Sequence, residues 1–461
     1  MTTLSNDGKV LGAVILARHG DREGFYQDAT TYAPANTAIT PLGSQQEYLL
    51  GQFLRSVYLD SSSPSFVSGF HSFVADDAQF KIRADAGGER GVIFNSAVSM
   101  LQGLFPPTPQ YNITLANGTT IVGPLGGYQA IPIESVESEQ DISLEGWVNC
   151  NATNTQKFLE SSEFSQRKAE SSAFLGQLAP YLGGRPATLE NMWNVFDYMN
   201  VQTIHNKTFA ATLPPGYLAQ ARDLANWQQA NIFSSPTADG IGNGKHVAGR
   251  TMVASILSGL ASISDPKDPI KVLYQAISYK PFISLFKMTG AVDRSPQLAG
   301  IVNYASAVSF ELRAPISGGE PTVRLLFKNG TDETTFTEYD MMGFPTGVPL
   351  SKFVNVLAPT GVNSTDAWCA ACSNTQDRGC AALALAKAQG AKSVELPAIG
   401  SVGAGFLGAG LALAFSLAAF GVLIFLGVLT LGKTRSVGRT KPLEHSLHGS
   451  DTESQADSTK V

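Results

Sequence analysis

Residues Val10 to Ala17 (VLGAVILA) form a continuously apolar run rich in branched side chains. A strand with one wet face alternates polar and apolar residues, whereas one with no polar position is covered on both faces, as in parallel sheets flanked by helices. The run therefore predicts an interior strand of an α/β domain. It hands the chain directly to Arg18-His19-Gly20-Asp21-Arg22. Open α/β sheets place their ligands beyond the carboxyl ends of such strands, so chemistry is expected here. Thr40-Pro41 then opens Ser44 to Tyr58, whose apolar residues Leu49, Leu50, Phe53, Leu54 and Val57 share one helical face. Thr40 is the expected N-cap and Pro41 the first-turn residue.

A second strand-like junction lies at Phe80 to Arg83, followed by a glycine-rich loop to Arg90 and a helical run from Val92 to Leu104 that Pro106-Pro107 ends. From about 110 to 244 alternation fades and amphipathic pieces such as Phe164 to Leu182 dominate, the pattern of an inserted, mainly helical cap. Strand periodicity returns at Ile270 to Ala276 and Ala305 to Arg313. The predicted organisation is a discontinuous α/β core (1–110 and 245–360), a helical cap insert (111–244) and a cysteine-containing stalk (361–395). A transmembrane helix (409–431) and a disordered cytosolic tail (433–461) complete it.

The membrane expectation rests on Leu411 to Leu431, inside a stretch from Leu396 to Gly432 without a charged residue, long enough to cross a hydrocarbon core of about 30 Å. Lys433, Arg435, Arg439 and Lys441 follow and put the tail on the cytosolic side. The six glycosylation acceptors, Asn112, Asn117, Asn151, Asn206, Asn329 and Asn363, all precede the apolar run. That fits an extracellular or lumenal ectodomain held by one helix in membrane lipid. Against it, the short run Val10 to Ala17 is no secretory signal, because cleavage there would leave Arg18 at the chain end. Four cysteines (Cys150, Cys369, Cys372, Cys380) suit two disulfides, with three pairings open. Cys369-Ala-Ala-Cys372 lacks the partners of a zinc set, and no metal or cofactor is implied. A formal net charge of -6 argues against nucleic acid as a partner. Nothing in the sequence sets an oligomeric state.

Two guanidiniums flanking an imidazole suit a phosphoryl group, with forked donors for its oxygens and a nitrogen nucleophile for phosphorus. Burying Arg18 and Arg22 without an anion would be costly. A surface turn with a satisfied histidine is the plainer reading of the tripeptide alone. Other segments weigh against it. Arg18-His19-Gly20-Asp21-Arg22 resembles the RHGxRxP motif of the histidine acid phosphatases, with Gly24 where that family has proline. Ile39 to Gly43 and Leu50 to Arg55 are similar to its LTPxG and LGxxLR motifs. Asn95-Ser96-Ala97 through Gly103 to Pro107 resembles its SAxxxxxGLFPP segment, and Tyr304 to Leu312 its YASxxxFEL strand.

The resemblance implies a phosphoglycerate mutase-like α/β core sheet with flanking helices, an inserted cap, and phosphomonoester hydrolysis through a phosphohistidine. His19 matches the nucleophile, and Arg18 and Arg22 match the phosphate-holding arginines. Arg83 matches the third, leaving Arg90 a structural part. The family's His-Asp pair, which completes the pocket and protonates the leaving oxygen, falls on Ser278-Tyr279, ahead of a helix expected from Pro281. No His-Asp dipeptide occurs in the chain. A tyrosine with an ordinary pKa of about 10 is a poor acid at low pH, so this half-site is degenerate. Lys280 could lend a cation in place of the histidine. His246 reads as a cap of the helix from Val247, His71 and His205 as loop residues, and Asp293 is assigned no role. Two functions follow. One is a weak acid phosphatase acting on a phosphorylated small molecule or phosphoprotein. The other is an inactive pseudophosphatase that binds such a ligand.

Overall fold

The strand expected from the apolar run is β1 (Val10–Arg18), and its two faces are buried in different cores. Ala13, Ile15 and Ala17 point to one side, Val14 and Leu16 to the other. The computed structural model describes residues 8–24, 37–71, 73–85, 91–136, 139–150, 152–234, 246–315 and 318–388. Leu411 to Leu431, the tail, the glycines from 403 to 410 and Arg90 lie outside the described residues.

β1 pairs in parallel with β6 (Val272–Ile277), which pairs in parallel with β2 (Phe80–Ala84), which in turn pairs with the short β5 (Glu134–Ser135). On the other side β1 is antiparallel to β7 (Ala307–Arg313), followed by β8 (Thr322–Lys328) and β10 (Val348–Pro349), with β9 (Thr337–Tyr339) also on β8. The order β10-β8-β7-β1-β6-β2-β5 brings the C-terminal ends of β1, β6 and β2 and the N-terminal end of β7 to one edge. A separate exposed hairpin, β3 (Asn112–Thr114) and β4 (Thr120–Val122), carries two of the glycosylation acceptors, and the single turn α3 (Pro124–Gly127) follows.

One face is covered by α1 (Pro41–Tyr58) and α2 (Val92–Leu104). Thr40 caps α1 as expected: its Oγ1 accepts from the Gly43 amide at 3.1 Å. The two helices cross in backbone contact at Gly51 and Gly103. A Cβ on Gly51 would lie 1.9 Å from the Met100 carbonyl oxygen, and one on Gly103 would lie 2.0 Å from that of Tyr48. The opposite face holds α9 (Val247–Ser264) and α10 (Lys280–Met288). Among the described residues α9 is the one helix long and apolar enough to span a membrane by length and composition. Its apolarity serves the core, since Gly259 packs on Leu273 and Val14.

The helices described between β5 and α9 are α4 (Ala152–Leu159), α5 (Ser162–Leu178), α6 (Met192–His205), α7 (Lys207–Thr212) and α8 (Tyr217–Phe233). Their buried residues, among them Phe164, Leu178, Met192 and Leu224, belong to the same hydrophobic core as Val14 and Leu16. The described residues, 8 to 388, belong to one compact unit. After the single turn α11 (Ala291–Arg294) and α12 (Leu350–Leu357), the chain ends its described part with α13 (Thr365–Cys372) and α14 (Cys380–Ala388).

Here the expected stalk is corrected for residues 361–388, which pack on the body. Trp368 is fully buried and its indole N–H donates to the Gly146 carbonyl. The disulfides are Cys150–Cys372 and Cys369–Cys380, so the CxxC cysteines are not joined to each other. The sequence hid this because burial of the segment depends on residues more than two hundred positions upstream.

Candidate active site

The sheet edge sets the site. The His19 amide donates to the Ile277 carbonyl at the end of β6, and the Arg18 amide donates to Ser306 ahead of β7. The Ala305 amide returns a bond to the His19 carbonyl from a left-handed backbone conformation, φ 53°. These bonds place His19, Ser278-Tyr279 and Tyr304 around one point. Below them, Gly20 and Gly43 touch through their backbones, and a Cβ on Gly43 would fall 2.0 Å from the Asp21 carbonyl oxygen. The Gly20 amide also donates to Ser96 Oγ at the start of α2.

The His19 ring is buried at 1% exposure, with Nδ1 2.8 Å from the Gly20 carbonyl oxygen. A carbonyl only accepts, so Nδ1 carries the hydrogen, and in the neutral ring Nε2 keeps its lone pair. Arg18 donates through Nη1 to the Val302 carbonyl, and its guanidinium lies 4.4 Å from the Tyr304 ring centroid and 5.4 Å from that of Tyr279. Arg22 is 1% exposed and gripped at both ends of its fork by Asp197 of α6, at 2.9 and 3.3 Å. Asp21 is fully buried, with Oδ2 bonded to Thr40 Oγ1 at 2.5 Å and to His205 Nε2 at 2.7 Å. Helix α6 is thus tied to the Arg18–Arg22 loop by the Arg22–Asp197 ion pair and by the His205–Asp21 hydrogen bond.

A cavity of about 310 Å³ opens on this cluster, lined among others by Arg18, Trp193, Asp197, Arg222 and Tyr304. Neither His19 nor Arg22 is among its lining residues; Tyr304, whose ring lies 5.6 Å from the imidazole, and Asp197, the partner of Arg22, do line it. The Tyr304 hydroxyl is buried with no hydrogen-bond partner among the described residues. Burial, the leading cause, pushes its pKa up to about 12, so it stays protonated and can donate.

Ser278 and Tyr279 stand directly after β6, next in the chain to the Ile277 carbonyl that takes the His19 amide, and Tyr279 precedes α10 without a side-chain capping bond. Ser278 Oγ is buried with no partner among the described residues. The Tyr279 hydroxyl donates to Gln229 Oε1 at 2.6 Å, and its ring stacks against Trp193. The Lys280 ammonium faces Trp147, Trp193 and Tyr279 at 5.0, 5.8 and 5.2 Å from their ring centroids.

Arg83 is not brought to this cluster. Its register partner on β6 is Gln275, which faces Leu16 on β1, two positions before Arg18. Its guanidinium donates to Glu134, Gln275 and Ser143, and it lines a separate pocket with Lys81 and Glu134. Sequence reasoning missed Asp197, which has no motif and meets Arg22 across 175 positions. It also took His205 for a loop residue, though it ends α6 and meets Asp21. His246 does precede α9, buried but without a side-chain capping bond. Exposed His71 pairs with Asp76, and Asp293 pairs with Lys287.

Fold and site together define an α/β protein with an arginine-flanked histidine at the carboxyl edge of its sheet. The chain is 24% identical over 355 residues to a lysosomal acid phosphatase of Xenopus laevis, covering 75% of each. It is 24% identical over 362 residues to the human prostatic acid phosphatase, covering 75% of this chain and 84% of that one. Among solved structures, the phytase from Citrobacter braakii superposes with a TM-score of 0.55 at 12% identity, over 77% of this chain and 98% of that one. A Hafnia alvei phytase gives 0.53 at 13%, over 78% and 98%. At such identities the structures speak to the fold alone, a mixed α/β fold with a central sheet and flanking helices that the chain shares with these phytases. No family model matches the chain. The resemblance to the histidine acid phosphatases stands: the homologues are acid phosphatases and the structural neighbours are phytases.

Proposed function

We propose that this chain is a phosphomonoester hydrolase of histidine acid phosphatase type with its nucleophilic half intact and its proton-donating half degenerate. The observation that carries the reading is the fixed tautomer of His19. With Nδ1–H held on the Gly20 carbonyl, the Nε2 lone pair attacks phosphorus, a P–N bond forms and the ester P–O bond breaks. Arg18 and Arg22 would hold the phosphoryl oxygens. The leaving oxygen must then take its proton from water, because Ser278 is no acid and the Tyr279 hydroxyl is committed to Gln229. Water next attacks the phosphohistidine and releases phosphate. Loss of a general acid costs about 10²- to 10⁴-fold in rate, most on alkyl esters and least on aryl esters, whose oxygen leaves unprotonated.

A second reading, an inactive binder of a phosphorylated ligand, is favoured by the burial of His19 and Arg22, neither of which lines the cavity. Anchorage by Leu411 to Leu431, with the site on the extracellular or lumenal side, belongs to both readings. The test is hydrolysis by the full-length chain, at about pH 5, of an aryl phosphate and an alkyl phosphate, with His19→Ala as control. Aryl turnover abolished in His19→Ala supports the nucleophile. Equal silence of wild type and variant, with phosphate still bound, supports the binder.

A further inference from the structure

A buried guanidinium calls for an anion, and the chain supplies one to Arg22 itself. Arg22 and Asp197 meet fork to fork, at 2.9 and 3.3 Å, with 1% and 6% of their side chains exposed. This is the two-pronged arrangement in which a guanidinium takes two oxygens of a phosphoryl group. Asp197 lines the cavity and Arg22 does not, so the carboxylate stands on the side from which a ligand approaches. The neighbouring Tyr304 hydroxyl, unpartnered among the described residues, feels both groups.

We propose that Asp197 sets the affinity of the pocket: it competes with an incoming phosphoryl group for Arg22, and binding requires that the pair be broken or shared. The inference rests on the reading that this pocket takes a phosphoryl group, and it names the residue that opposes entry. A carboxylate a few ångströms from a bound phosphate, in a partly desolvated site, repels it strongly. Removing that charge while keeping the side chain's shape should tighten phosphate binding about tenfold or more. Asp197 is thus an affinity-setting positioning residue that acts on phosphate through Arg22.

The test is calorimetric titration of the full-length chain with inorganic phosphate, comparing wild type, Asp197→Asn and Asp197→Ala, with thermal melting to confirm folding. The expected result is tighter binding by both variants, about tenfold or more for Asn. Unchanged or weaker binding by folded variants, beside measurable binding by wild type, overturns the proposal and leaves the phosphatase reading standing. Should the variants not fold, a crystal structure of the wild-type chain with phosphate reads the same competition. Phosphate on Arg22 with the Asp197 contact broken or shared supports the proposal, and phosphate bound with both contacts intact overturns it. Absence of phosphate binding by every form removes the phosphoryl reading of the pocket and this proposal with it.

Discussion

Gly43→Ala tests whether the Arg18–Arg22 loop and α1 are one mechanical unit. A Cβ at this position would stand 2.0 Å from the Asp21 carbonyl oxygen and 2.7 Å from its amide nitrogen, where ordinary contact begins near 3.4 Å. The obstacle is backbone, so no side chain can swing aside. Either α1 or the Arg18–Arg22 loop must retreat by more than an ångström. Overpacking of this kind costs about 1–3 kcal/mol. With an unfolding entropy of about 2 cal/mol/K per residue, a unit of this size loses roughly 1 °C of Tm per kcal/mol, so a fall of about 1–4 °C is expected. Phosphate affinity should fall with it, since Asp21 sits between His19 and Arg22. Gly176→Ala is the control: in α5 with nothing within 4 Å of its Cβ, it should gain about 1 kcal/mol from helix propensity alone. Calorimetric melting and phosphate titration read both. Gly43→Ala with unchanged Tm and unchanged phosphate binding would refute the contact between loop and helix.

Tyr304→Phe keeps the ring over Arg18 and deletes the unpartnered hydroxyl. The variant should melt no lower than wild type and bind phosphate several-fold more weakly, as titration would show. Buried Glu47 has its pKa raised well above 4.5 by burial. The folded chain therefore holds a proton that the unfolded chain loses above about pH 4.5, and stability falls as pH rises from there. Glu47→Gln should flatten that decline in a series of melts between pH 4.5 and 7.5, and an unchanged slope would exclude Glu47 as its source. Cys150→Ser with Cys372→Ser opens a 222-residue separation and should cost about 2–5 kcal/mol, more than opening the 11-residue separation of Cys369–Cys380. Equal melting of the two double variants would contradict the ranking.

Local signals carried much of the fold. The all-apolar β1, the Thr40-Pro41 start of α1 and the span of α2 were legible because each depends on neighbours in sequence. Ser278-Tyr279 follows β6 directly, and the last residue of β6, Ile277, is the register partner of Arg18 on the parallel β1. What stayed hidden depends on distant partners. Arg83 carries a motif arginine's sequence context, but strand register sets it two positions short of the edge, where Glu134 takes it. Asp197 and His205 look like ordinary polar helix residues until α6 is laid against the loop. The glycosylation acceptor at Asn329 reads as surface, yet its Oδ1 accepts from the Asn303 amide and Ser306 Oγ and so helps to hold the turn before β7.

The Cys150–Cys372 bridge closes nearly the whole helical layer and most of the sheet into a covalent loop. A protease that cuts the backbone once anywhere between residues 151 and 371 therefore releases no fragment. The nicked protein keeps its mass under oxidising conditions and separates into pieces only when reductant is added. Paired gels with and without reductant would then show which surface segments are cut first, while the rest of the body stays together.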